Sequence, residues 1–360
     1  MEKKVFLFPE RALMEFCRQS FQRSGLREEE AELAADVLVK SDMRGVDTHG
    51  VVRLPFYCKR LTDKGTKTDP QIKILREKPA MLLIDGDNGL GQIIGIKTMK
   101  KVMEKARTSG VCFAGVRNSC HFGMAAYYAM LAIEEGMIGF AATNTPPVMA
   151  PWGGRKAFIG NNPLAIAVPT SEDFPMVLDI SMSVVSGGKV RLAAVKREKI
   201  PQGWVLDGNG RPTENPDDFF PGGTLLPMGE HKGYGLAVIL EMLSGVLTGA
   251  GILSEMPLWF SDTAIPTNTG HFFMAIDIDA FGDLNVFKER IHKLIHELKS
   301  CPSSEGSKEV LIPGEIEFCR EQTCRKEGIP VSSEVLKNLD TFASQIGILK
   351  LSFCLPHREL

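Results

Sequence analysis

His49, Arg53 and Tyr57 recur at a spacing of four in RGVDTHGVVRLPFY, residues 44–57. If that segment re-enters a helix after Gly50, the three side chains share one face. An imidazole gives or takes a proton near neutral pH. A guanidinium grips a carboxylate through two parallel hydrogen bonds. Together they suit a 2-oxo or 2-hydroxy acid, with Arg53 on the carboxylate and His49 at the carbonyl oxygen. The same spacing also fits a histidine that caps a helix beside surface charges.

A second histidine, His121, stands in NSCHFGMAAYY, residues 118–128, after an expected strand and before an expected helix. Loops at that junction commonly carry function in α/β chains; either His121 or Ser119 can equally be a helix cap. Cys120 beside it is a poor thiol partner, because neighbours on a strand end point apart. The stretch 143–169 is too rich in Pro and Gly for a helix or a central strand. Its Asn144, Thr145, Asn161 and Asn162 offer amide and hydroxyl groups to a polar ligand. LDISMSVVSGGK (178–189) and GEHKGYG (229–235) each couple glycine to a lysine near a helix start, a plausible phosphate cradle. His292 and His296 share a helix face, but no Glu completes a metalloprotease motif, so a solvated face is expected there.

These groups need elements to hold them. Apolar periodicity predicts helices over 9–24, 28–44 and 51–64, so the first 70 residues are mainly helical. Strands follow at 72–76, 80–85, 111–119, 137–144, 164–168, 176–180 and 272–279, with helices at 92–109, 123–135 and 232–247. This alternation marks an α/β layer. Amphipathic helices at 283–299, 315–328 and 332–345 come before an irregular tail. The expected division is a helical part from residues 1–75 with 284–345, an α/β part from 76–283, and a tail at 346–360.

No GxGxxG is complete. GLGQIIG (89–95) has the strand–turn–helix setting, but its third glycine is displaced by one, and no acidic residue ends the next strand to hold a ribose. The plain alternative is a tight turn that starts a core helix.

Composition sets the outer bounds. The chain has 360 residues, 44% hydrophobic and 24% charged, with Lys+Arg 42 against Asp+Glu 44. That suits a two-domain globular chain, and near-neutrality gives no electrostatic footprint for nucleic acid or an anionic membrane. The eight cysteines show no CxxC pair, so free thiols in the cytoplasm are expected and no metal site. Residues 235–253 are apolar enough to suggest a membrane span, but Glu241 in the middle points to a buried soluble helix.

RGVDTHGVVRLPFY, NSCHFG, APWGG, IGNNPLAIAVP, LDISMSVVSGGK, LLPMGEHKGYGLA and IPGE occur in one order along residues 5–345. In this the chain resembles the malate/L-lactate dehydrogenase family, which is unrelated to the ordinary Rossmann enzymes. Sulfolactate, ureidoglycolate and diketogulonate oxidoreductases and cyclic imino acid reductases belong to it. The resemblance implies a non-Rossmann α/β fold with a helical domain from both chain ends, an NAD or NADP cofactor, and a homodimer or higher homo-oligomer. It implies a small 2-oxo/2-hydroxy acid substrate such as malate, L-lactate or sulfolactate. A cyclic imino acid or ureidoglycolate is the alternative, and a non-catalytic ligand-binding protein the remote one. By matching motifs it puts Thr145, Asp179, Ile180, Ser181, Lys232, Gly314 and Glu315 on the cofactor. His49 matches a proton donor of some members and His121 a proton acceptor of others; Arg53 and Thr48 match substrate-side positions. Thr48 replaces the usual Ser but keeps the hydroxyl. Asn161 replaces a usual Thr, and Glu230 and His231 replace a common Gly and Pro.

Overall fold

The computed structural model describes residues 4–220, 222–258 and 262–354. Chain order begins with β1 (Val5–Phe8), α1 (Glu10–Arg23), α2 (Glu28–Met43) and α3 (Leu54–Thr62). It continues with β2 (Lys73–Lys78), β3 (Met81–Asp85), α4 (Gly91–Ser109), β4 (Val111–Ser119), α5 (Ala125–Leu131), β5 (Met137–Thr143), β6 (Leu164–Val168), β7 (Met176–Ile180) and α6 (Gly187–Lys196). Short β8 (Val205–Leu206), β9 (Pro212–Thr213) and β10 (Thr224–Leu225) precede α7 (His231–Glu241) and β11 (Thr269–Asp277). Last come α8 (Leu284–Lys299), α9 (Glu315–Glu327), β12 (Ile329–Ser332) and α10 (Ser333–Ile346).

The central sheet runs β2-β3-β4-β11-β5-β6-β7. Only β3 and β4 are parallel; the other neighbours are antiparallel. A doubly wound dinucleotide fold needs a parallel sheet, so the mixed order excludes it. The GLGQIIG turn agrees. A Cβ on Gly91 would lie 2.2 Å from the Cys120 carbonyl oxygen. The helix start is pressed against the His121 strand exit, so Gly91 serves close packing there.

One apolar core lies along the sheet, from Leu82 and Ile94 to Tyr128, Met137 and Phe273. A second joins both chain ends: Phe8, Leu13, Phe21, Leu38 and Leu54 pack with Ile329, Leu339 and Leu351. Strands β1 and β12 pair antiparallel, Val5 with Ser332, and tie the ends together. Leu351 is buried in a 3-10 turn over Leu351–Cys354, so the chain stays packed beyond the expected start of the tail; residues 355–360 lie outside the described residues.

Two expectations change. The apolar stretch at 235–253 is not wholly buried: Leu236, Ile239, Val246 and Leu247 face solvent, and the helix passes into a π turn at Met242–Val246. No helix among the described residues is long and apolar enough to cross a membrane. The strand expected over 272–279 ends at Asp277, whose side chain caps the turn that holds Asp279.

Candidate active site

The segment carrying His49 is not a continuous helix. Two 3-10 turns, Asp47–His49 and Val51–Arg53, precede α3, whose Pro55 sits in the first turn where no N–H is needed. Asp42, at the end of α2, pins the turns: its Oδ2 accepts from the Val51 N–H at 2.8 Å. A Cβ on Gly50 would fall 1.8 Å from Asp42 Oδ1, so only glycine passes there. Burial holds the Asp42 carboxyl well above the usual range, against the pull of that N–H.

The result still gathers the expected groups, by a different route. Thr48 Oγ1 lies 2.9 Å from His49 Nδ1, and Arg53 Nε donates to the Thr48 carbonyl at 2.7 Å. Tyr57 reaches His121 rather than His49, with its hydroxyl 2.6 Å from Nδ1. The His49 and His121 rings stack 5.4 Å apart. Burial first, and then the Arg53 cation, lower His49 to about 4. His121 is held well below its ordinary value by burial, then by His49, Arg53, His271 and Arg60. Both imidazoles are therefore neutral at physiological pH.

Sequence reading missed His271. It lies on β11 between β4 and β5, and its ring stacks on Phe122 at 4.6 Å. His271 Nδ1 lies 2.8 Å from Thr143 Oγ1, which also donates to the Gly270 carbonyl, and Nε2 lies 2.7 Å from Ser119 Oγ. His271 thus ties the strand exit that leads to His121 to the one that leads to Thr145. A usable signal was present: His271, Phe273 and Ala275 alternate inward on one strand face and are all fully buried.

Burial lowers His271 to about 3. The unfolded chain binds its proton near 6.5, so stability is full above that value and drains as pH falls toward the folded pKa. At about 1.4 kcal/mol per unit, the loss from this residue is on the order of 5 kcal/mol at most. Thermal midpoints should drop between pH 6.5 and 4, and His271→Asn should flatten that slope. An equal slope in wild type and variant removes His271 as the cause.

The other expected residues lie on neighbouring loops. Thr145 donates its N–H to Asn162 Oδ1 and its hydroxyl to Asn161 Oδ1, both at 3.0 Å. Asn162 donates to Glu241 Oε2 at 2.7 Å, and the Leu253 N–H donates to Glu241 Oε1 at 3.0 Å. The carboxylate that argued against a membrane span is thus the buried hub under the Thr145 loop. Met182 N–H donates to the Asn161 carbonyl and Met228 N–H to the Met182 carbonyl, which laces Ser181 to the turn before Lys232. Lys232 is exposed and forms no ion pair among the described residues.

Asp179 and Ile180 end the edge strand β7, where Asp179 Oδ2 accepts from the Ala126 N–H at 3.0 Å. The Pro313 carbonyl accepts from the Val177 N–H at 2.9 Å, which brings Gly314 and Glu315 beside them. The Glu315 carboxylate is already engaged by Lys299 at 2.6 Å and by the Ile312 N–H at 3.0 Å. Helix α6 joins the two sides: a Cβ on Gly188 would lie 3.3 Å from Thr48 Cγ2. His292 stays outside this assembly, paired with Glu172 at 2.6 Å. Among the described residues, no group of three or more His, Cys, Asp and Glu is placed to hold a metal.

The structure sets a stacked imidazole pair beside a guanidinium, on a mixed sheet that is not the parallel dinucleotide fold. The family model for malate/L-lactate dehydrogenase matches residues 8–340, and the chain belongs to that family. It is 40% identical over 355 residues to a malate dehydrogenase of Pyrococcus abyssi, covering 97% of each chain. It is 38% identical over 330 residues to the L-sulfolactate dehydrogenase of Methanocaldococcus jannaschii, covering 91% of this chain and 93% of that one. The solved malate dehydrogenase of Pyrococcus horikoshii superposes with a TM-score of 0.88 at 38% identity, covering 96% of this chain and 97% of that one.

Proposed function

We propose that this dehydrogenase catalyses reversible hydride transfer between NAD or NADP and a small 2-oxo/2-hydroxy acid such as malate, L-lactate or sulfolactate. The observation that carries this is the convergence of Thr48, His49 and Arg53 on the His121–Tyr57 pair. When bound, the nicotinamide supplies or accepts the hydride. Arg53 holds the carboxylate and fixes the orientation of the carbonyl. His121 or His49 gives the proton that turns the nascent alkoxide into a hydroxyl, and takes it back in oxidation.

The residues toward the cofactor suit a polar, anionic ligand. Thr145, Asp179, Ile180, Ser181, Gly314 and Glu315 sit on laced loops at the sheet edge, and Lys232 brings an ammonium. At Gly229 and Gly235, on either side of Lys232, no atom lies within 4 Å of where a Cβ would stand, so the backbone there is open to a ligand. The two-part division, 1–75 with 284–345 against 76–283, belongs to the same proposal; the core that joins Phe8–Leu61 to Cys324–Leu351 supports it for those segments. A cytoplasmic setting fits eight unbridged cysteines. The deciding assay follows NADH and NADPH oxidation with oxaloacetate, pyruvate, sulfopyruvate and a cyclic imine. Turnover of the imine alone would move the reading to an imino acid reductase.

The exposed apolar face of α7 supports a homodimer, since patches of this kind mark protein contacts. Light scattering at micromolar concentration should give twice the mass of one chain. The pair Ile239→Asp and Leu247→Asp should shift it to monomer. A wild-type monomer, or a variant that stays dimeric, places the contact elsewhere or removes it.

A further inference from the structure

We infer that Glu241 is a positioning residue for the cofactor: its buried carboxylate sets the orientation of Asn162, which holds the Thr145 loop in its binding shape. This rests on the reading of Thr145 as a cofactor-side residue, and deepens it.

A carboxylate only accepts hydrogen bonds, whereas an asparagine amide has a donor end and an acceptor end. Glu241 closes α7, one turn beyond Ala237, and is buried. Asn162 is fully buried and lies across that face of the helix. Its Nδ2 donates to Glu241 Oε2 at 2.7 Å and to the Ala237 carbonyl at 3.0 Å. Its Oδ1 is thereby turned the other way, where it accepts from the Thr145 N–H at 3.0 Å. The chain has no slack at this point. Asn162 sits at φ +23°, where a residue with a side chain is strained, and its two bonds to α7 hold it there. A Cβ on Gly160 would collide with the Thr145 carbonyl and with Asn162 Oδ1. The other carboxylate oxygen is fixed as well: Glu241 Oε1 accepts from the Leu253 N–H at 3.0 Å and from Asn144 Nδ2 at 3.5 Å.

An amide of the same shape at position 241 breaks this order in a defined place. A glutamine has one accepting oxygen. Two donors face Oε1 and a single one faces Oε2, so the glutamine turns its oxygen toward Leu253 and Asn144 and its NH2 toward Asn162. Two NH2 groups then oppose each other, and Asn162 must turn or withdraw. Either movement takes the acceptor away from the Thr145 N–H. Changing Asn162 to aspartate in the same chain mends the contact, because the new carboxylate accepts from the glutamine and from the Thr145 N–H together. Only the bond to the Ala237 carbonyl is given up.

The test compares wild type, Glu241→Gln, Glu241→Gln combined with Asn162→Asp, and Thr145→Val. One readout is amide hydrogen exchange over residues 143–148 without cofactor. The other is the dissociation constant of NADH and of NADPH, from nucleotide fluorescence. Glu241→Gln should speed exchange in that segment and weaken the better-bound nucleotide by about tenfold, as for other partners that orient a ligating group. The cofactor KM should rise with it and kcat should change less, since the histidines and Arg53 are untouched. The double substitution should bring exchange and affinity back toward wild type, which a general loosening of the fold would not allow. If Glu241→Gln does not fold, the double substitution decides: wild-type affinity supports the role, and weak binding or failure to fold overturns it. Unchanged exchange or unchanged affinity in Glu241→Gln, or no recovery in the double substitution, overturns the role of Glu241, while weaker binding in Thr145→Val keeps Thr145 on the cofactor. Unchanged affinity in Thr145→Val, or no binding of either nucleotide by wild type, sinks that reading and the role of Glu241 with it.

Discussion

Replacing His121 by alanine should lower kcat for 2-oxo acid reduction by about a thousandfold, the upper part of the range for a positioned general acid. The geometry favours His121 over His49 as the group that matters most. His121 is buried, and its Nδ1 is held by the Tyr57 hydroxyl. A phenol is both donor and acceptor. It can donate to a neutral imidazole and accept from an imidazolium without moving. Tyr57 itself stays protonated, because burial raises its pKa. His49 leans on Thr48 and is half-exposed, so His49→Ala should cost less, and Tyr57→Phe about tenfold by loss of the tautomer control. The pH profile gives a second readout. Reduction needs the imidazolium, whose pKa is depressed in the free enzyme, so kcat/KM should fall as pH rises. A carboxylate on Arg53 cancels one of the charges that depress it. The pKa seen in kcat should therefore lie above that seen in kcat/KM. If His121→Ala and His49→Ala both turn over near the wild-type rate, the acid–base assignment is wrong.

The sequence exposed this chemistry more readily than its scaffolding. Helices such as α2, α4 and α8 announced themselves through apolar periodicity, and the imperfect GLGQIIG pointed away from a Rossmann sheet before any strand order was known. The contents of the His49 segment were legible too, but their shape was not. Gly50 and the buried Asp42 force two 3-10 turns where a spacing of four suggested a helix face. His271 and Glu241 were harder, because their roles depend on partners far along the chain. His271 meets Ser119 and Thr143 only because β11 runs between β4 and β5. Glu241 meets Asn162 only because the Thr145 loop folds over α7. A buried polar residue is read as such once its partner is known, and one sequence does not pair residues across a sheet. The exposed face of α7 was misjudged for a related reason. Hydropathy says that a surface avoids water, and not whether the same chain covers it.

The Arg53 substitutions should produce the second large effect, and its form separates binding from chemistry. Arg53→Leu should lower kcat/KM for 2-oxo acids by about a thousandfold, because a desolvated carboxylate loses a two-pronged, charge-assisted partner. Most of the loss should appear in KM. A substantial fall in kcat should accompany it, since the carbonyl is no longer held against the histidines. Arg53→Lys keeps the charge but not the fork, and it gives up the Nε–H donated to the Thr48 carbonyl. It should recover only part of the loss, about tenfold to a hundredfold below wild type. The histidines supply a control that a misfolded site would not. The Arg53 cation is among the causes that lower both His49 and His121. Removing it in Arg53→Leu should raise their pKa values, and retaining it in Arg53→Lys should not. An NMR titration of the histidine ring protons in the free enzyme reads this directly, with no substrate present. A raised titration in Arg53→Leu together with a high KM places Arg53 on the carboxylate and in the electrostatics of the proton donor. A high KM with unmoved histidines would confine it to binding. Unchanged kinetics in Arg53→Leu would take the carboxylate away from this loop altogether.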